Sequence, residues 1–171
     1  MSRRDQIRMS ADEVRAFLDG ERTVTCATIG RDGRPHLMPL WYVRGQHLPA
    51  DGPWGPASQN GRGEHLWAWT YAKSQKVRNL DRDPRATLQV EAGTEYHLLR
   101  GVMLETDAVV HRDLDTVTAL GLEIFARYGD GGELSDDARA AVTAQAAKRV
   151  GLQFIERNRV TWDHRKLAGV Y

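Results

Sequence analysis

Cysteine is almost absent: Cys26 is the single one among 171 residues. That excludes an internal disulfide and any cysteine-rich zinc site. Inside "TVTCATI" a lone thiol reads as a small buried hydrophobe. Long apolar runs are missing too, and none approaches the ~20 residues of a membrane span. The basic N-terminal stretch "MSRRDQIRMS" is not followed by the apolar core of a secretory signal. Nor is charge of one sign in excess: Lys and Arg number 24, Asp and Glu 23, for a net +1. A dedicated nucleic-acid binder carries an overall basic field, which this balance lacks. The expectation is one cytoplasmic domain spanning residues 1–171, with no membrane and no nucleic-acid partner.

Catalytic signatures are equally scarce. The six histidines are scattered, and no pair has the spacing of a two-histidine zinc helix. The glycines of "GDGG" and "GPWG" fit neither a dinucleotide fingerprint nor a P-loop. No nucleophile elbow occurs. No catalytic residue and no metal ligand is therefore assigned.

What is present is strand patterning with a few helices. Ser10 and Glu13 form a capping box, Met9 and Val14 have hydrophobic-staple spacing, and Val14, Phe17 and Leu18 continue one helical face to a stop at Gly20. "TVTCATI" and "PHLMPLWYV" flank Asp32-Gly33, a hairpin signal. Pro39 inside the second run implies an edge strand or a bulge, with backbone groups left free. Residues 45–63 read as a long loop, with Trp54 in its middle either folding over a pocket or simply exposed. "EHLWAWTYA" is the next strand, "SQKVRNL" a short helix ended by Asp83-Pro84, and "RATLQVEAG" and "EYHLLRGVMLETDAVVH" two strands joined at Gly93-Thr94. Over 114–151 the period turns helical: Val117, Leu120, Gly121, Ile124 and Tyr128 form one stripe. Ser135 caps a second helix with stripe Ala138, Ala141, Val142, Ala146 and Val150. "LQFIERNRVTW" closes the chain as a strand. Antiparallel strands with flanking helices give an α+β, barrel-like architecture.

One stretch stands out in charge. From residue 73 to 85, Lys73, Lys76, Arg78, Arg82 and Arg85 face only Asp81 and Asp83. Thr70 ends a strand, Ser74 is placed to cap the following helix, and Lys76 falls in its first turn. A helix start with free N–H groups, two hydroxyls and a lysine makes a cradle for a phosphate. The competing reading is an amphipathic helix with Val77 and Leu80 inward and a solvated basic face.

The run "WTYAKSQKVRNLDRDPRATLQV", preceded by "TIGRDGRPHLMPLWYV", resembles the flavin-binding split-barrel superfamily. That group includes pyridoxamine 5′-phosphate oxidases and deazaflavin (coenzyme F-420)-dependent oxidoreductases of actinobacteria. The likeness is clearest over residues 10–111, and Lys76, Asn79, Leu80, Asp83, Pro84 and Arg85 are its most specific piece. It implies a six-stranded antiparallel split β-barrel that forms a homodimer, with FMN or coenzyme F-420 in grooves between subunits and a small-molecule substrate. Thr70, Ser74 and Lys76 would hold the cofactor phosphate, and His36, Met38, Pro39 and Leu40 would line the ring. Trp69, Gln75 and Arg100 complete the implied cofactor contacts. Trp162, beside the charged "DHRK", is read either as a ring neighbour at a pocket rim or as core packing. Lys73 and Arg78 would attract the acidic tail of the deazaflavin. Met38 and Val43 stand where a pyridoxamine phosphate oxidase carries an arginine and a lysine, so the likeness is closer to the deazaflavin branch.

Overall fold

The structure, a computed structural model, describes residues 2–45, 65–129 and 134–167. Six antiparallel strands, β1 (Thr23–Ile29), β2 (Pro35–Trp41), β3 (Leu66–Tyr71), β4 (Arg85–Ala92), β5 (Arg100–His111) and β6 (Arg149–Asp163), form one sheet. Its order is β2-β1-β4-β5-β6-β3. The sheet curls until its two edges meet at a single bridge, where Val43 and Trp67 exchange N–H···O bonds of 2.8 Å. The result is a split barrel. Pro39 lies on β2, at an edge, as its missing N–H requires. A bulge at Arg157 helps the long β6 to curl: Asn158 faces Glu105 and Glu156 faces Thr106, leaving Arg157 without a partner in the register.

Strand alternation divides the apolar residues between two layers. Val24 and Cys26 of β1, Leu88 and Val90 of β4, Val102 and Leu104 of β5, Leu152 and Phe154 of β6 and Ala68 of β3 fill the barrel. Helix α2 (Ala11–Gly20) closes one end with Val14, Phe17 and Leu18, and its capping box forms as the Ser10–Glu13 spacing dictates. On the outside, Trp67 and Trp69 of β3 pack against Val117, Leu120 and Ile124 of α4 (Leu114–Tyr128) and Val142 and Ala146 of α5 (Asp136–Ala146). No helix is long and apolar enough to cross a membrane among the described residues.

Several boundaries differ from expectation. The apolar run before Arg100 is not strand: Tyr96–Leu98 make a 3₁₀ turn. Gly93, at a φ of +98°, folds the chain so tightly that a Cβ there would sit 2.3 Å from the Leu98 carbonyl oxygen. At the far end of α5, Val150 belongs to β6 rather than to the helical stripe, because Ala147 and Lys148 turn the chain first. A short helix α1 (Arg3–Gln6), capped by Ser2, was not foreseen. Apart from Gly45, the expected loop 45–63, with Trp54, lies outside the described residues.

Candidate functional site

The junction of β3 and α3 (Gln75–Arg82) gathers several buried polar residues, Thr70, Lys76 and Asn79 among them. Thr70 is the last barrel-facing residue of β3, and the chain then turns, with Ser74 N–H donating to the Tyr71 carbonyl at 3.0 Å. Ser74 has the extended backbone of an N-cap, yet its hydroxyl makes no capping bond; its Oγ is shut off from solvent without a hydrogen-bond partner. Buried polar atoms are seldom left so, and each calls for an explanation.

Helix α3 packs its Lys76, Val77, Asn79 and Leu80 face inward. The amphipathic expectation holds for Val77 and Leu80, but a solvated Lys76 does not: the residue is only 7% exposed. Its ammonium donates to Thr70 Oγ1 at 3.1 Å. Burial pushes the Lys76 pKa below its ordinary value, with the nearby Cys26 acting weakly in the other direction. Burial in turn pushes the Cys26 thiol up to about 12, the state of an unreactive core residue.

The remaining positive charges of the segment have separate uses. Arg85 forks onto Asp83, whose carboxyl is held down at about 2 by that guanidinium. Arg82 donates to the Ile29 carbonyl, tying α3 to the end of β1. Asp81 is taken by Arg112 at 2.7 Å. Lys73 and Arg78 project from the surface.

Two residues outside the predicted set join the cluster. Asn79 is fully buried, accepts from Gln75 Nε2 at 2.9 Å and donates to Thr28 Oγ1 at 3.0 Å. Thr28 leans in turn toward the His36 carbonyl, at 3.5 Å. A polar thread thus runs from α3 across β1 to β2, linking Gln75 to His36. His36 Nδ1, like Ser74 Oγ, is buried without a partner. The signal for Thr28 was in the sequence: it occupies the inward phase of Val24 and Cys26, where a hydroxyl is out of place unless bonded.

The other predicted residues lie elsewhere in the chain. Met38 stands opposite Cys26 and Pro39 opposite Thr25, while Leu40 packs partly on the barrel core. Trp69 points to the outer layer, edge-on to Phe125 at 6.4 Å. The Arg149 guanidinium lies over both its ring and that of Tyr71, at 4.4 and 4.3 Å. Arg100 lies at the opposite end of the β5–β6 pair from Thr70, 3.5 Å from Glu21 and over the Phe17 ring. Trp162 faces Gly101 at that same end, its ring so close that a Cβ on Gly101 would sit 2.3 Å away. One chain therefore brings together Thr70, Ser74, Gln75, Lys76 and His36, and leaves Arg100 and Trp162 distant.

A family model described as pyridoxamine 5′-phosphate oxidase matches residues 10–154. No curated protein matches the chain. Among solved structures, the chain is similar to Rv2991, a conserved hypothetical protein from Mycobacterium tuberculosis. The two are 36% identical over 100% of this chain and 95% of the other, with a TM-score of 0.79. An F420 reductase is 21% identical over 84% of this chain and 93% of its own, at a TM-score of 0.58. The haem storage protein HutZ from Vibrio cholerae shares the fold at 14% identity and a TM-score of 0.62, over 88% of this chain and 94% of its own.

Proposed function

The chain belongs to the pyridoxamine 5′-phosphate oxidase family, and on that premise we propose an oxidoreductase that binds a flavin or deazaflavin, FMN or coenzyme F-420. It transfers a hydride to or from a small organic substrate. The observation that carries this reading is the β3–α3 junction: a buried ammonium with one hydroxyl neighbour beside a buried, unpartnered serine hydroxyl. An ammonium has three donors, and Thr70 takes one, so Lys76 and Ser74 fit a phosphate between them. Thr70 keeps the ammonium in place, and Asn79 and Thr28 hold α3 at the depth that allows it.

When bound, the isoalloxazine or deazaflavin ring supplies the hydride chemistry, and the protein binds and orients it. His36 to Leu40, on the edge strand β2, supply the backbone wall for that ring. Oxidation of pyridoxamine phosphate itself is disfavoured: Val43, where that enzyme has a phosphate-binding residue, is a buried aliphatic side chain bridged to Trp67. A second reading, a non-catalytic flavin, deazaflavin or haem binder, draws on the fold shared with HutZ.

Absorbance titration of the purified protein with FMN, with the deazaflavin and with haem tests the reading. A perturbed FMN or deazaflavin spectrum, with turnover of that cofactor against candidate substrates, supports it. Binding without turnover leaves the storage or sensing reading. A protein that perturbs neither flavin nor deazaflavin spectrum is not the proposed enzyme.

A further inference from the structure

Past Phe154, β6 outruns β3, which pairs with it only from Arg149 to Phe154, while β5 follows it to Asp163. The N-terminal segment lies along this outer stretch. Asp163 N–H donates to the Ile7 carbonyl at 2.8 Å, and Met9 N–H to Thr161 Oγ1 at 2.9 Å. Between the segment and the strand opens a cleft of about 500 Å³, lined by Arg4, Arg8 and Arg159 together with Met9, Val160 and Thr161. That volume is in the range of small-molecule sites.

The charged residues that line this cleft, Arg4, Arg8 and Arg159, are all basic. Several other arginines rest on carboxylates: Arg112 on Asp81 at 2.7 Å, Arg157 on Asp107 at 2.7 Å, Arg165 on Asp163 at 2.6 Å. No carboxylate lines the cleft among the described residues. Arg8 approaches Asp5 only at 4.0 Å, and Asp5 is already bonded to the Ser2 hydroxyl at 2.7 Å. Arg159 gives Nη2 to Glu156, but its Nε is buried without a partner. Three guanidiniums line one cleft, of which Arg159 alone has a close carboxylate, and such like charges repel one another unless an anion joins them. Met9, nearly buried, adds an apolar wall.

We propose that this cleft binds a small organic molecule carrying at least two negative charges, a phosphate ester or a polycarboxylate. Guanidinium forks suit either anion, and Met9 and Val160 receive the apolar body. The cleft flanks the part of β6 that β3 does not reach, away from Thr70 and Lys76 of the same chain, and the Lys76→Met arm of the test separates it from the cofactor reading.

Titration calorimetry of the full chain at low ionic strength tests it, with inorganic pyrophosphate and tricarballylate as probes. Saturable binding is expected, weakened about tenfold or more in Arg159→Met and in the double variant Arg4→Ala/Arg8→Ala. Arg4 and Arg8 are exposed, so the double variant should melt as wild type does and keeps the test valid if Arg159→Met misfolds. Binding of pyrophosphate alone assigns phosphate esters, of tricarballylate alone polycarboxylates, and of both a site that reads charge. No saturable binding of either probe at millimolar concentration overturns the proposal. So do wild-type affinities in the arginine variants, and so does a loss seen only in Lys76→Met, which would move the binding to the β3–α3 junction.

Discussion

An ammonium that is 7% exposed and has Thr70 as its hydrogen-bonding neighbour loses hydration that the threonine only partly replaces. For the cofactor-free protein the Lys76 charge is therefore a cost, and Lys76→Met should raise the melting temperature at neutral pH. The pH dependence follows from the lowered pKa of Lys76. In the window between the depressed folded value and the ordinary 10.5, the folded chain has shed a proton that the unfolded chain still holds. Wild-type stability therefore rises with pH through that window, and the advantage of Lys76→Met should shrink as pH climbs from neutral toward about 10. Thermal melts of both proteins across that range measure it; an advantage that grew with pH would contradict the burial argument. With cofactor the sign reverses: loss of a charge-assisted hydrogen bond should weaken FMN or deazaflavin binding about 10- to 150-fold. Arg82, tied to the Ile29 carbonyl, is no control for this; the exposed Arg139 on α5 is one. Lysine at position 76 and the hydroxyls beside it could be read from the sequence, because strand end and helix start are local signals. Its burial could not, since that depends on β1 arriving with Thr28 and Cys26 beneath α3.

At the scale of elements, what could be read was again what is local. Ser10 with Glu13, Ser135 before Asp136, and Asp32-Gly33 each fix a helix start or a turn within a few residues. The β4–β5 connection was legible in its start at Gly93 but not in its length: Tyr96, Leu98 and Leu99 have strand-like composition, and only the fold-back at Gly93 removes them from the ladder. The outer helical layer shows how a periodic stripe acquires meaning from its partner. Gly121 lies on the stripe of Val117, Leu120 and Ile124, and the structure gives the reason for a glycine there. A Cβ at this position would stand 2.6 Å from Trp69 Cζ3 and 2.9 Å from Val142 Cγ1. Neither neighbour is a loose surface side chain; Trp69 is held between Phe125 and Arg149. Gly121→Ala, which in an exposed helix would be stabilising, should here cost roughly 1–3 kcal/mol through overpacking. Urea unfolding checks it, and a variant as stable as wild type would show that α4 can shift off β3 freely.

For the whole molecule, the six-stranded split barrel was legible from hairpin signals, strand alternation and family likeness together, whereas the way a second chain would complete it was not. The apolar residues of β5 need no second chain, Val102 and Leu104 being 1% and 4% exposed in the barrel core. Among the exposed large hydrophobic side chains, Leu37 at 56% and Trp41 at 55% share one face of the edge strand β2. Arg100 and Trp162 sit at the far end of β5 and β6 from Lys76, so a single chain cannot place them at one cofactor. A homodimer would answer both facts if it covered β2 and brought one chain's far end to the other's junction. Light scattering should then return twice the 19.3 kDa of one chain at micromolar concentration. Leu37→Glu should convert it to monomer, since an uncompensated carboxylate is expelled from an apolar interface. Leu37 is exposed in the chain alone and has no role in its core, so the monomer should keep its fold while losing cofactor affinity. A wild-type protein that scatters as a monomer would remove the shared site and with it any part for Arg100 and Trp162 in holding the cofactor.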